Sequence, residues 1–295
     1  RIILSLNPYY KPGGNLSEIR KEKNKMSKWV KTIFFAVLLI GAGYFFGTIC
    51  RQIDQAYELI LAPSLELLML ILWLLLALGL VLVSAGLVAT LLRPIWVGFI
   101  AFALSGLAVL FGWHISAITG ILAFVYVLAG VAYTRSVDGQ LNQQIKFSVR
   151  PISQCQGILL TTLILVACGS LFLGYREHIE REGFSIPDSY VELIMGLMEK
   201  QIVARVPIGG GEVVVQFREE FQRSIDGFID GTVKPYERYI PLAMALGLFM
   251  PLVTITGLLT WVPALFLKVL FTLLTALGVV KTVTETREVQ RLIID

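Results

Sequence analysis

At 295 residues, with 56% hydrophobic and 16% charged residues and a mean hydropathy of +0.75, the chain is too apolar for an ordinary soluble domain. Its net charge of +4 is concentrated: residues 1–31 carry eight basic and two acidic side chains, which by itself exceeds the total. That basic block abuts a stretch long enough to cross hydrocarbon, so it reads as a cytoplasmic retention signal and excludes a nucleic-acid surface.

The chain opens on Arg1. Met26, followed by Ser-Lys-Trp-Val-Lys and then an apolar run, has the pattern of a bacterial or archaeal membrane-protein start. Residues 1–25 therefore read either as a disordered tail or as a translated stretch outside the native protein. Asn15-Leu16-Ser17 is a formal glycosylation sequon, but it carries no weight in a tail expected to be cytoplasmic.

The first span is expected over 30–49. A lipoprotein signal fails because Ile49, not a small residue, precedes Cys50, and an ordinary signal peptide fails because no small-x-small cleavage site follows. Gly43 and Gly47 form a GxxxG pair that allows close helix approach, although glycine is common in membrane helices anyway. Ile53, Tyr57 and Ile60 share one helical face between Arg51 and Pro63, as expected of a segment on the outer interface, opposite Gln52, Asp54 and Gln55. A second span follows over 65–92, with Glu66 at its solvated outer end.

Arg93-Pro94 is a minimal inside turn. The next apolar stretch, 95–133, suits two spans joined at Gly112-Trp113-His114. Gly98, Ala101, Ser105, Ala108 and Gly112 recur at steps of three and four, and Ser116, Gly120, Ala123 and Gly130 continue the pattern on the next helix. Small residues on one face let backbones approach in lipid, which predicts a tight antiparallel hairpin. Lining of a narrow pore is the weaker use of these stripes, since neither carries a charge or an amide.

Residues 134–156 form a second inside loop, with Leu141, Ile145 and Val149 spaced as an amphipathic helix ending before Pro151. The fifth span, 157–175, leads to a long polar segment. Residues 176–238 hold eight basic and twelve acidic side chains, opposite in sign to the rest of the chain. Val191, Ile194, Met198 and Ile202 predict one helix there, and Val214, Phe217, Phe221, Ile225 and Phe228 a second, with the last four aromatic and aliphatic positions as interface candidates. A β-hairpin around Gly209–Gly211 is the alternative for 201–217.

The last apolar region, from Tyr239 to Val280, contains one charge, Lys268, and a turn signal at Trp261-Val262-Pro263. Read as two spans, it puts Lys268 within snorkelling reach of the cytoplasmic face and leaves the C-terminal tail outside.

The expected fold is thus an all-α integral membrane protein of about seven transmembrane helices in a 5+2 arrangement. It divides into a basic cytoplasmic tail (1–29), a five-helix membrane block (30–175), an acidic extracytoplasmic helical segment (176–238), a two-helix membrane hairpin (239–281) and a C-terminal tail (282–295). Localisation in the cell membrane with a cytoplasmic N-terminus follows from the charge asymmetry.

Chemistry is sparse. His114 lies in a turn and His178 beyond the fifth span, and there is no HExxH, no Walker lysine and no paired acid within the spans. Asp226-Gly227 and Asp230-Gly231 lack calcium-loop spacing. Cys50, Cys155 and Cys168 fit neither a disulfide framework nor a metal site; Cys50 is expected at the outer face, Cys155 at the inner face and Cys168 in the bilayer. No catalytic residue, metal or cofactor is assigned. The leading expectation is a non-enzymatic protein that associates with lipid and with a membrane or envelope partner through its acidic segment. A small channel or carrier, using the 95–133 hairpin and the helix breaks at Pro241, Pro251 and Pro263, is the alternative, and a lipid-handling enzyme a distant third.

Overall fold

Backbone N–H and C=O groups have no water to bond in hydrocarbon, so a chain this apolar must satisfy them internally, and a helix does so within one segment. The computed structural model describes residues 16–55, 65–92, 94–143, 149–182 and 229–280, with positions 196, 220–221, 223–224 and 227 between the last two ranges. Five helices come first: α1 (Leu16–Gln55), α2 (Leu65–Leu91), α3 (Ile95–Gly112), α4 (Ala117–Gln143) and α5 (Arg150–Glu182). A π-turn (Ile229–Val233) and a 3-10 turn (Lys234–Tyr239) then lead into α6 (Ile240–Leu259) and α7 (Trp261–Ala276). The protein is therefore an all-α, multi-pass membrane protein. Among the described residues, six helices are long and apolar enough to cross a bilayer, and α7, at 16 residues, is shorter.

Several helices outrun their apolar stretches. α1 continues through Gln55, which buries Ile53 in the bundle and makes Arg51–Gln55 its last turn. α4 runs ten residues past Tyr133 to Gln143, and α5 starts at Arg150 with Pro151 in its first turn, where a missing N–H costs nothing. The expected 134–156 loop is thereby mostly helix, with Leu141 and Val149 against the core. Ile145 lies outside the described residues, as do Tyr57, Ile60 and the C-terminal tail.

α1 packs chiefly on α3 and α2; α3 packs on α4, α4 on α5, and α5 on α6 and α1. Which residues meet fixes the directions. Gly43 lies against Ser105 and Gly47 against the Val109 carbonyl, so α1 and α3 run parallel. Phe45 and Trp73 stack edge-on at 6.1 Å, putting mid-α1 beside mid-α2. We name the two ends of the bundle after residues of α1: the Lys31 end and the Asp54 end.

The small residues serve two interfaces. On α3, Ser105 and Gly112 meet α1: the Ser105 hydroxyl donates to the Leu39 carbonyl (3.1 Å) and shares a 3.0 Å hydrogen bond with the Tyr126 hydroxyl of α4. Gly112 sits on the α1 backbone at Tyr44, Gly47 and Thr48, while Ala101 and Ala108 are buried. Gly98 faces Thr134 of α4 and Val88 of α2. The α3–α4 hairpin forms, but it is seated differently from two opposed stripes: Gly130 takes the Phe102 ring and Gly106 takes Val127 beside the Ala123 carbonyl. Ala123 is buried, whereas a side chain at Gly120 would meet open space. Ser116 caps α4, its hydroxyl accepting from the Thr119 N–H (3.2 Å) while the Thr119 hydroxyl accepts from the Ser116 N–H (2.8 Å). This is a capping box with threonine in the usual acidic place.

A methyl group added at Gly47 would run into the Val109 backbone, which cannot rotate aside; one added at Gly79 of α2 would meet nothing. Gly47→Ala should therefore destabilise the bundle by about 1–3 kcal/mol. Gly79→Ala should be neutral or stabilise it by up to about 1 kcal/mol. Thermal unfolding of the two variants in detergent, followed by size-exclusion fluorescence, checks this; equal midpoints would contradict the α1–α3 contact.

Candidate functional site

At the Asp54 end three chain segments converge: the last turn of α1, the α3–α4 turn and the outer turns of α5. Asp54 is the link. Its Oδ2 accepts a hydrogen bond from the Trp113 indole N–H (3.3 Å) and lies 3.2 Å from Nδ1 of His114. The carboxylate is only 12% exposed, while the imidazole is 42% exposed. The second carboxylate oxygen, Oδ1, is buried without a hydrogen-bond partner. It faces Gly174 of α5, where an added Cβ would lie 2.8 Å from it and would collide with the Asp54 backbone carbonyl. A Cα–H contact is what glycine offers there. One carboxylate thus joins α1 to the turn through the Trp113 hydrogen bond and the His114 contact, and to α5 through close approach.

Around this link lies a cavity of about 660 Å³ lined by Arg51, Asp54, Gln55, Trp113, His114, Gly174, Glu177, His178 and Arg181. On the opposite side of α5 a second cavity, about 750 Å³, is lined by residues including Phe172, Arg176, Glu180, Lys234, Arg238 and Tyr239. The outer turns of α5 therefore stand as a polar post with a cavity on each flank. Arg176 pairs with Glu180 (2.7 Å) and Arg181 with Glu177, each four residues apart along the helix. All four side chains are more than half exposed, so these pairs stiffen the post only slightly. The Arg238 guanidinium lies 4.6 Å over the Tyr239 ring, at the level where the chain turns into α6.

The first cavity mixes carboxylate, imidazole and guanidinium groups. Such a set makes charge-assisted hydrogen bonds to polar partners. Among the described residues, no three His, Cys, Asp or Glu side chains converge as metal ligands. Cys50, Cys155 and Cys168 are free thiols and all three are buried in the bundle, Cys50 one turn before Asp54. Of the interface candidates, Phe221 is described and half-buried, while Phe217, Ile225 and Phe228 lie outside the described residues, with the 201–217 region.

The sequence offered one usable signal for this site. Once the spans alternate in direction, residues 54, 113–114 and 174–178 must share one membrane level, although nothing in their spacing says that they touch.

Comparison with known proteins returns no matching family model, curated protein or solved structure.

If the carboxylate couples the turn to α1, removing both partners should cost less than the sum of the single losses. A double-mutant cycle of Asp54→Ala and His114→Ala should show a coupling of about 0.5–3 kcal/mol in detergent unfolding. Additive losses would mean that the pair contributes nothing to holding the turn.

Proposed function

We propose that this is a non-enzymatic, multi-pass protein of the cell membrane that works by association, recognising a membrane or envelope protein partner at its Asp54 end. The observation that carries this reading is the placement of polar surface. Two charge-mixed cavities flank α5 at the point where it leads into residues 183–228. At mid-height, by contrast, the bundle is filled by side chains, among them Phe46, Phe102, Tyr126 and Leu163, each fully buried. Hydroxyls in the helices mostly bond their own backbone, as Thr90 does to Gly86 (2.8 Å) and Thr134 to Gly130 (2.8 Å). The described arginines at the opposite end, Arg135 and Arg150, together with the basic tail, favour a cytoplasmic Lys31 end. The Asp54 end and the acidic segment then face away from the cytoplasm.

A channel or carrier draws on one observation. Tyr133 of α4 and Gln156 of α5 have polar side-chain atoms buried without hydrogen-bond partners, in the half of the bundle nearer Lys31. Buried polar groups in a membrane bundle are candidates for a solute path.

The two readings separate in one preparation. A photo-crosslinking residue placed at His178, beside the first cavity, should give a discrete protein adduct in native membranes. The same residue at the lipid-facing position Leu104 should give none. Absence of an adduct at His178, with selective solute flux through purified protein in liposomes that Gln156→Leu abolishes, would replace association with transport.

A further inference from the structure

We infer that α7 is an in-plane helix whose outward face is seated in the lipid leaflet at the Lys31 end, and that it does not cross the bilayer. Two contacts and the register of α1 on α2 set its depth. Near its middle, Leu267 lies against Gly86 of α2, which also touches Ile152 in the first turn of α5. Both of those positions belong to the Lys31 end. Past its end, the Lys31 ammonium of α1 donates to the Val279 carbonyl (2.9 Å). Because Phe45 stacks on Trp73 and α1 and α2 run in opposite directions, Lys31 is level with the region of α2 around residue 87. Leu267 and Val279 therefore sit at nearly one depth. Had α7 turned back along the bundle, the nine helical residues that follow Leu267, up to Ala276, would have carried the chain about 14 Å toward the Asp54 end.

Local chemistry sets the length and the bend. Pro263 in the first turn of α7 cannot donate to the Leu259 carbonyl, so the helical ladder breaks where α6 meets α7. At the other end Gly278 adopts a left-handed conformation (φ 69°), and the Val279 N–H bonds the Leu274 carbonyl (2.9 Å), which closes the helix with a Schellman turn. The 16 residues between these stops span about 24 Å, short of a hydrocarbon core of about 30 Å.

The faces agree. Pro263, Leu267 and Phe271 form the buried side against α2 and α5, at four-residue steps. Leu265, Phe266, Val269 and Leu273 are exposed, apolar and suited to acyl chains. Lys268 is exposed and midway along α7, where a crossing helix would carry it deepest into hydrocarbon. In the plane of the leaflet it reaches headgroup phosphates by snorkelling. The chain consequently leaves Val280 at the Lys31 end, on the side from which α1 starts, and not on the far side that a seventh crossing would give.

The test uses the full chain, with its three native cysteines replaced, reconstituted in phosphatidylcholine vesicles. Fluorophores attached through Phe266→Cys, Val269→Cys and Leu273→Cys should be quenched alike, and more strongly by lipids carrying the quencher near the headgroup than by lipids carrying it near the chain end. A graded profile, with Val269→Cys deepest, would overturn the proposal. An impermeant thiol reagent gives a second readout: Leu277→Cys should react from the same face as Trp29→Cys and opposite to His178→Cys. Reaction with the His178→Cys face would equally overturn it.

Discussion

The close approach of α1 to α3 is the constraint on which the rest of this structure depends. In water, two helices are driven together by the apolar area they remove from solvent, but lipid chains are as apolar as leucine, so packing itself must supply the attraction. Gly43 on Ser105, Gly47 on the Val109 carbonyl and Gly112 on the α1 backbone supply it by letting main chains touch. That contact also sets the height at which α3 ends. Trp113 and His114 follow Gly112 directly, beside the Asp54 carboxylate, and Gly174 brings α5 onto the same residue. The carboxylate link is the last rung of a ladder of glycine contacts, and its geometry is inherited from them.

The spans and the helical class were legible because hydrocarbon-length apolar runs have few alternatives. So was the α3–α4 hairpin, from its two small-residue faces. What the periodicity could not supply was the neighbour. A face at steps of three and four is the same whether it meets the next helix or one two helices away, and Ser105 and Gly112 meet α1. The Gly43–Gly47 pair was visible but indistinguishable from the glycine background of membrane helices until its partner backbone was in place. Helix ends were misjudged for a different reason. Hydropathy falls at the edge of hydrocarbon, whereas a helix continues into water as long as its groups are satisfied, which is how α4 reaches Gln143 and α5 reaches Glu182.

That continuation has a consequence for the site. Because α5 does not stop at Tyr175, its Glu177, His178 and Arg181 side chains are carried up beside Asp54 and His114 on one flank, and Arg176 and Glu180 face the turn into α6 on the other. A loop starting at Tyr175 would have scattered them. The exposed ion pairs along the post add little energy, so its rigidity comes from the buried part of the same helix, where Leu163, Leu171 and Ser170 are enclosed. The polar surface is positioned by the membrane core beneath it.

The two ends differ because they solve different problems. The Asp54 end gathers charge where the longest polar segment of the chain leaves the bilayer. At the Lys31 end the problem is an apolar stretch of 42 residues, Tyr239 to Val280, which composition alone allows to be two crossings or one crossing and a helix lying flat. Hydropathy weighs both equally, since a residue facing acyl chains from within the plane is as apolar as one on a crossing helix. The decision falls to features that hydropathy ignores: a proline that breaks the ladder, a glycine that ends the helix after 16 residues, and a lysine on α1 that holds the last carbonyl at its own depth. Each is a single residue acting on the backbone, and together they set on which side of the membrane the chain leaves the bundle.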